Sequence, residues 1–251
     1  MITIRMADLT FRIYNQYPFL PRQCRDYLLP EASDSLPEIT DSREENPEVS
    51  SMSGFSSVFG SSSDFSASGE DSEEKHPGFR ESLSVYREIA RLLPLYQGFL
   101  LHAVVIDADG TGIAFVAKSG TGKSTHADFW KKRFGDRVTI INGDKPILRL
   151  SGDRMMAYGT PWAGKEGLNE NRSCVLKKIC FLERAKENRV EKIEQAEGIR
   201  KLAGFAYTEN GKDLENVCTL LSRAAELEYF CLLCTNEPEA ADVSARALAS
   251  L

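Results

Sequence analysis

Neither an apolar run of membrane-spanning length nor the charged-then-apolar layout of a signal peptide occurs in this sequence. A helix needs about 20 consecutive apolar residues to cross a bilayer, and a secretory leader needs its charged and apolar regions in order. Both absences argue against a membrane or exported protein. We therefore expect a cytoplasmic protein with no membrane partner.

The sequence also lacks the excess of basic residues that is typical of nucleic-acid-binding proteins. The net charge is −6 and the pI is about 5.3. The acidity is local, because the segment 31–74 contains 12 acidic residues and only Arg43 as a basic one. The rest of the chain is close to neutral or slightly positive, which suits binding of a polyanion. We expect no nucleic-acid partner.

The six cysteines show no metal-site spacing. Cys231 and Cys234 form a C-x-x-C pair within YFCLLC, but no second cysteine or histidine pair lies at zinc spacing. The apolar run predicts a buried strand with free thiols, as expected in a reducing compartment. A metal or redox role for this pair is the weaker alternative.

Composition divides the chain into three predicted regions. Residues 1–30 begin with one or two strands over 2–14 that we expect to pack on the core. Residues 31–78 are dominated by Ser, Glu and Asp and cannot bury enough apolar area to offset the entropy of ordering. This region is either a tolerated surface insertion or a tether. Residues 79–251 form the main domain, which begins with an amphipathic helix over 79–93.

The segment from Ala117 to Thr125, AKSGTGKST, follows a short apolar strand and precedes a helical pattern. Strand, glycine-rich turn and helix form the context of a phosphate-binding loop. Glycines let the turn point consecutive N–H groups inward, and the helix adds its positive end. We expect this loop to bind nucleotide through Ser119, Gly120, Thr121, Gly122, Lys123, Ser124 and Thr125. A chance Gly/Ser-rich loop is the alternative.

Phosphoryl transfer needs more than a phosphate loop. Lys123 can reach the β- and γ-phosphates, and the Ser124 hydroxyl can bind Mg²⁺. Asp144 follows the strand 137–141, where a parallel strand would present a carboxylate as a second Mg²⁺ ligand; a turn aspartate is the alternative. His102 lies within the apolar run 98–107, which predicts one strand, and is either functional or a core histidine. His126, in the first helical turn, is predicted to be exposed.

The remaining pattern alternates strands and helices. Strands are expected at 147–150, 155–158, 175–183 and 227–234, with 190–193 pairing against 175–183. Helices are expected at 195–207, 213–226 and 238–248. The segment 159–172, rich in Gly, Asn and charge, predicts a surface loop. These elements predict an α/β fold with a mixed sheet flanked by helices around the phosphate loop.

The runs FLLHAVVIDADGTGIAFVAKSGTGKST and VTIINGDKPILRL resemble the catalytic domain of HPr kinase/phosphorylase and its related kinases. The fold of that group is shared by phosphoenolpyruvate carboxykinases. The downstream run YGTPWAGKEGL…LKKICFLERAKENRV looks like a bacterial branch of the group. The resemblance implies ATP and Mg²⁺ as cofactors, with His102, Lys123, Ser124 and Asp144 in the active site.

Two positions depart from the HPr kinase pattern. Those enzymes have a Glu directly after the loop Ser, where this chain has Thr125, and two adjacent acids where it has Gly143-Asp144. The resemblance implies an ATP- and Mg²⁺-dependent kinase that phosphorylates a hydroxyl, such as a serine of a protein or peptide. The alternative is a nucleotide-binding sensor without catalysis. HPr kinases form hexamers, which makes a homo-oligomer one of the states to test.

Overall fold

The structure is a computed structural model that describes residues 1–30, 48–50 and 76–249. It divides the chain into two units, Met1–Leu92 and Leu93–Leu251. Most of the predicted insertion 31–78 lies outside the described residues. The helix that we predicted at 79–93 belongs to the first unit, and the three-region organisation stays a prediction.

The first unit begins with a hairpin in which alternate side chains are buried. Strands β1 (Ile2–Met6) and β2 (Leu9–Tyr14) pair antiparallel, and the short strand β3 (Glu48–Ser50) pairs parallel to β2. Ala7 and Asp8 make the turn with positive φ angles of 54° and 57°. Helices α1 (Phe19–Gln23) and α2 (Pro77–Leu92) complete the unit. The prediction of strands within 2–14 is confirmed.

The second unit contains runs of strands separated by helices. In chain order its elements are β4 (Gly98–Leu100), β5 (Val104–Ala108), β6 (Thr111–Val116), α3 (Lys123–Phe134), β7 (Val138–Asn142), β8 (Ile147–Ser151), β9 (Arg154–Tyr158), β10 (Ser173–Arg184), β11 (Arg189–Ile193), α4 (Gln195–Ala203), α5 (Gly211–Arg223), β12 (Glu228–Cys234) and α6 (Glu239–Leu248).

The centre of this unit is a group of three parallel strands, β6, β10 and β12. Antiparallel strands extend the sheet on both sides, with β5 next to β6, β7 next to β5, and β11 next to β12. The first residues of β10 instead pair with β9, which continues through β8 to β4. The chain is therefore a mixed α/β protein with a mixed sheet and flanking helices, as the sequence predicts in outline.

Side chains from the two faces of the sheet form two hydrophobic cores. On one face α3 and α6 pack against Phe115, Cys180 and Leu232, and Trp130 at the centre is fully buried. On the other face α4 and α5 pack with sheet residues such as Ile179 and Tyr229. Strand β12 contributes side chains to both cores, because successive side chains of a strand point in opposite directions.

Three sequence expectations were wrong in detail. The run 98–107 is two strands, because the chain leaves β4, beside β8, and enters β5, beside β6, after a break at 101–103. Strand β11 pairs with β12 and not with the strand at 175–183. The segment 159–172 is exposed only in part, since Thr160 and Trp162 are buried. In each case long-range packing decides what the local pattern leaves open.

Candidate functional site

Five chain segments meet at one edge of the sheet in the second unit. Strands β6, β7, β10 and β12 run in the same direction, so their carboxyl ends lie at this edge, and the antiparallel β5 begins there. Across the edge the order is Asp144 after β7, His102 before β5, the loop 117–122 after β6, Arg184 at the end of β10 and Asn236 after β12. We call this the carboxyl edge. Loops at such an edge are where α/β proteins bind ligands.

The loop 117–122 connects β6 directly to α3. Gly120 and Gly122 have positive φ angles of 75° and 118°, which only glycine adopts without strain. Gly122 is the N-cap residue of α3, and no side chain caps the first turn there. The N–H groups at the start of a helix carry partial positive charge and lack partners within the helix. The loop therefore presents donors that suit an anion.

Lys123 is buried at the first position of α3. Its Nζ donates a hydrogen bond to the Ala117 carbonyl oxygen, at 2.8 Å, which closes the loop on itself. Burial lowers the pKa of Lys123 to about 8, although the Asp144 charge acts in the opposite direction. A bound phosphate would place a negative charge next to this buried ammonium group and so stabilise its protonated form.

His102 and Asp144 form the charged pair of the edge. His102 Nε2 lies 3.2 Å from Asp144 Oδ1. The break between β4 and β5 brings them together, because the N–H of Ala103 donates to the Asp144 carbonyl oxygen at 3.0 Å. The Asn142 side chain accepts from the N–H groups of Asp144 and Lys145, at 2.9 and 2.7 Å, and so holds the turn.

The pKa shifts of this pair favour an ionised carboxylate and a neutral imidazole. Burial acts to raise the pKa of Asp144, but the hydrogen bond from His102 and the charges of Lys145 and Lys123 outweigh it and lower that pKa. The hydrogen bond to Asp144 acts to raise the pKa of His102, but burial and the two lysines outweigh it, so that pKa is also lowered. Neutral His102 then donates from Nε2, which leaves Nδ1 as a proton acceptor.

Lys145 adds a second contact to the same carboxylate oxygen. Its Nζ lies 3.6 Å from Asp144 Oδ1, and its side chain is only 16% exposed. Burial lowers the pKa of Lys145, opposed by the Asp144 charge. No role was predicted for this lysine from the sequence, although it directly follows Asp144 in the chain.

Gly143, where the resemblance implies an additional acid, is closely packed. A Cβ atom on Gly143 would lie 3.1 Å from the Ala163 carbonyl oxygen and 3.2 Å from that of Leu168. The Gly143 N–H also donates to the Leu168 carbonyl at 2.8 Å. The segment 159–172 therefore covers this side of the edge closely and leaves little room for a side chain beside Asp144.

The other residues predicted from the sequence lie along the loop and the first turn of α3. Ser119, Gly120 and Thr125 are exposed, whereas Thr121, Gly122 and Ser124 are partly buried. The assignment of Ser124 and Asp144 as Mg²⁺ ligands stays a prediction. No group of three or more His, Cys, Asp or Glu residues that could bind a metal occurs among the described residues.

Arg184 is a residue of the edge that the sequence did not reveal. Its Nη2 donates to the Gly120 carbonyl oxygen at 2.6 Å, and its Nε donates to the Thr121 carbonyl at 3.2 Å. The guanidinium thus joins β10 to the loop. A basic residue at the end of a buried strand was the available signal, but its partner lies more than sixty positions away in the chain.

His126 is buried, so the prediction that it is exposed was wrong. It lies between the ring of Phe115 and the side chains of Trp130 and Ser244. The Trp130 indole N–H donates to Ser244 Oγ at 2.8 Å and to His126 Nε2 at 3.1 Å. Burial lowers the pKa of His126 to about 4. Helix α6, which supplies Ser244, buries this face of α3.

All six cysteines are free thiols, and Cys231 and Cys234 are buried in β12 as the apolar run predicts. Burial raises the pKa of Cys231 to about 11, which disfavours the reactive thiolate. In the part of the chain that the structure describes, none of the helices has the length and apolar character needed to cross a membrane.

Comparisons with known proteins show no family and, among solved structures, a distant likeness. No family model and no curated protein matches the sequence. Among solved structures, that of the HPr(Ser) kinase/phosphatase from Coxiella burnetii is similar at 12% identity, over 59% of this chain and 95% of that chain, with a TM-score of 0.35. A likeness of that score says nothing about the site, and the carboxyl edge itself is the evidence for the function.

Proposed function

We propose that this protein is an ATP- and Mg²⁺-dependent kinase of the HPr kinase-like class. The observation that carries the proposal is the position of the His102–Asp144 pair beside a glycine-turned loop that opens a helix with Lys123 as its first residue. The N–H groups of such a loop can bind phosphates, and the His102–Asp144 pair can take the proton of an acceptor hydroxyl. The HPr kinase-like resemblance of the sequence agrees with this reading.

The loop 117–122 and the first turn of α3 bind the phosphates of ATP. The N–H groups of the loop and the helix start donate to phosphate oxygens, and Lys123 exchanges its bond to the Ala117 carbonyl for the β- and γ-phosphates. Phosphate charge raises the pKa of Lys123 from about 8 and keeps it protonated.

Mg²⁺ fits the oxygen ligands that this chain offers. Hydroxyl and carboxylate oxygens are the ligands that Mg²⁺ takes in phosphoryl-transfer sites, and the lowered pKa of Asp144 keeps its carboxylate ionised. Both His102 and Lys145 contact Oδ1, so we assign Oδ2 of Asp144 and the Ser124 hydroxyl to the metal. When bound, Mg²⁺ would neutralise charge on the phosphate oxygens.

His102 takes the proton of the acceptor hydroxyl. Asp144 holds the imidazole in the form that donates from Nε2, which directs the free lone pair of Nδ1 to the acceptor. The acceptor oxygen bonds to the γ-phosphorus, the bond to the β-phosphate oxygen breaks, ADP leaves, and the proton passes to Nδ1. We propose that the acceptor is a serine of a protein or peptide and that the kinase is cytoplasmic.

The test is transfer of labelled γ-phosphate from Mg²⁺-ATP into an extract of the source cells. We expect the wild type to label a band that Lys123→Ala does not label. The matched control is Lys132→Ala, a lysine at the far end of the same helix whose side chain is 73% exposed; we expect it to label like the wild type. Equal labelling by wild type and Lys123→Ala would refute the proposal.

The second candidate is a nucleotide-binding sensor that does not catalyse. The observation that favours it is the tight packing at Gly143, which replaces an acid of the HPr kinase pattern, together with the Lys145 contact to the remaining carboxylate. Calorimetry distinguishes the two. ATP binding that depends on Lys123, without labelling of any acceptor, supports the sensor; turnover of ATP in the presence of an acceptor excludes it.

A further inference from the structure

A buried polar cluster lies beneath the turn that presents Asp144. It consists of Asn142, at the end of β7, and Thr160, in the segment 159–172, and both residues are fully buried. Asn142 Nδ2 donates to the Thr160 carbonyl oxygen at 3.0 Å and to Thr160 Oγ1 at 3.2 Å. We call these residues the Asn142–Thr160 cluster. Because buried polar groups are costly unless they are hydrogen-bonded, the pair fixes the two segments relative to each other.

The cluster holds the turn through its backbone groups. Asn142 Oδ1 accepts from the N–H groups of Asp144 and Lys145. The Thr160 hydroxyl donates to the Lys145 carbonyl oxygen at 2.7 Å and accepts from the Trp162 N–H at 3.3 Å. Both backbone polar groups of Lys145 are thus bonded to the cluster, which uses the amide oxygen, the amide nitrogen and the hydroxyl together.

The same turn also holds the residues on either side of His102. The Leu101 N–H donates to the Pro146 carbonyl oxygen at 3.1 Å, and the Ala103 N–H donates to the Asp144 carbonyl oxygen at 3.0 Å. The distance between the imidazole and the carboxylate therefore depends on the path of this turn. A shift of the turn would change that distance without altering either side chain.

We propose that Asn142 and Thr160 are positioning residues of the kinase site, which act through Asp144 and do not touch the substrate. The inference rests on the proposed function, because it takes Asp144 as the partner of His102 and as a metal ligand. The cluster keeps Oδ1 of Asp144 at His102, which leaves Oδ2 for the proposed metal. Residues that orient metal ligands contribute about 10- to 100-fold to activity.

The test compares Thr160→Val with Thr160→Ser. Valine keeps the shape of threonine without its hydroxyl, and serine keeps the hydroxyl without the methyl group. We measure initial rates of γ-phosphate transfer from Mg²⁺-ATP into an extract of the source cells, with ATP varied. In Thr160→Val we expect the apparent kcat to fall about 10- to 100-fold and the KM for ATP to change less than about two-fold, since the loop 117–122 is untouched. Thr160→Ser should keep most of the wild-type rate.

The matched control is Ser244→Ala, which removes a hydroxyl that is equally buried but bonds to Trp130 and His126 behind the loop. We expect it to lower the free energy of unfolding and to leave kcat and KM unchanged. Transfer by Thr160→Val at the wild-type rate, or equal losses in Thr160→Val and Thr160→Ser, would overturn the inference while the kinase activity stands.

Hydrogen exchange of the amides of Asp144 and Lys145 gives a readout that needs no catalysis. Both N–H groups donate to Asn142 Oδ1, so we expect Thr160→Val to speed their exchange at least about ten-fold. Thr160→Ser and Ser244→Ala should leave the exchange unchanged. Unchanged exchange in Thr160→Val would show that the hydroxyl does not hold the turn, which overturns the inference.

Two further outcomes are distinguishable. If the wild type labels no acceptor but the exchange responds as expected, the proposed function and the role in it are refuted, while the hold on the turn stands. If Thr160→Val does not fold, Thr160→Ala takes its place in both measurements with the same expected losses, because its smaller side chain leaves room for a water beside the Lys145 carbonyl.

Discussion

Two histidines lie on opposite sides of the loop 117–122, and they differ in what surrounds them. His102 is partly exposed at the carboxyl edge and contacts an ionised carboxylate. His126 is buried behind the loop among neutral partners, Ser244, Trp130 and Phe115. The pKa of each is lowered, yet only His102 has a charged partner and access to a ligand.

The comparison teaches that a shifted pKa alone does not identify a functional histidine. Burial is the cause at His126, and it makes the neutral ring part of the packing between α3 and α6. At His102 the hydrogen bond to Asp144 opposes burial and the lysine charges. We expect substitution at His102 to affect rate and substitution at His126 to affect stability.

The largest expected effect is on catalysis at His102. In His102→Gln we expect the transfer rate to fall at least about a hundred-fold, because a positioned general base contributes about 10² to 10⁴ in rate. The free energy of unfolding should change less than the rate, since glutamine is close to histidine in size and its amide can also donate to Asp144. Initial rates and urea unfolding of the same preparation measure both.

The pH profile gives an independent readout of the same role. The wild-type kcat/KM should fall on the acid side as His102 is protonated, with a midpoint below its ordinary pKa of 6.5. The residual activity of His102→Gln should lack this acid limb. If His102→Gln keeps both the wild-type rate and the fall in kcat/KM at low pH, a group other than His102 takes the proton of the acceptor.

The next largest effect is on stability at His126. In His126→Ala we expect the free energy of unfolding to fall by about 2 to 4 kcal/mol, because the change leaves a cavity against Phe115 and Trp130. Trp130 keeps its bond to Ser244. Urea unfolding measures the loss, and Lys132→Ala on the same helix serves as the control. A near-neutral His126→Ala would mean that this packing is not required.

His126 should also make the free energy of unfolding depend on pH. Its pKa is about 4 in the folded protein against an ordinary 6.5. Between these values the unfolded state takes up a proton that the folded state does not, so stability present above pH 6.5 is lost as the pH falls. The loss is about 1.4 kcal/mol per pH unit, or about 2 kcal/mol by pH 5. Unfolding at pH 7 and 5 should show a smaller drop in His126→Ala than in the wild type.

The smallest effect concerns Gly143, next to Asp144. We expect Gly143→Asp to lower the free energy of unfolding by about 1 to 2 kcal/mol, since its Cβ would crowd the Ala163 and Leu168 carbonyl oxygens. We also expect no gain in transfer rate, because a displaced segment 159–172 disturbs the turn that holds Asp144. A faster enzyme of unchanged stability would show that the missing acid limits catalysis.

Local pattern predicted the elements of the second unit well. The helix after the loop was expected to follow Thr125, and α3 begins at Lys123; the helices α5 and α6 and the strands β8, β9 and β12 were also expected near their actual bounds. These elements have clear periodicity and clear breaks. The order of strand, loop and helix at 112–134 follows from the sequence because each signal is local.

Long-range arrangement could not be predicted from the sequence. The break at 101–103, which places His102 beside Asp144, falls within a run that is apolar on both sides of His102 and contains no local signal for the end of a strand. His126 is buried by α6, which comes more than a hundred residues later. Arg184 meets the loop only because β10 lies next to β6. Each depends on a pairing that no local pattern encodes.

Strand β10 has a consequence for how the protein opens. Its twelve residues extend over about 40 Å, and it is paired with β9 at its start and with both β6 and β12 at its end. Its central amides can exchange with solvent only when neighbouring strands separate. We therefore expect the slowest hydrogen exchange of the second unit at Ile179 to Leu182, and the end that holds Arg184 keeps the loop attached to this most protected strand.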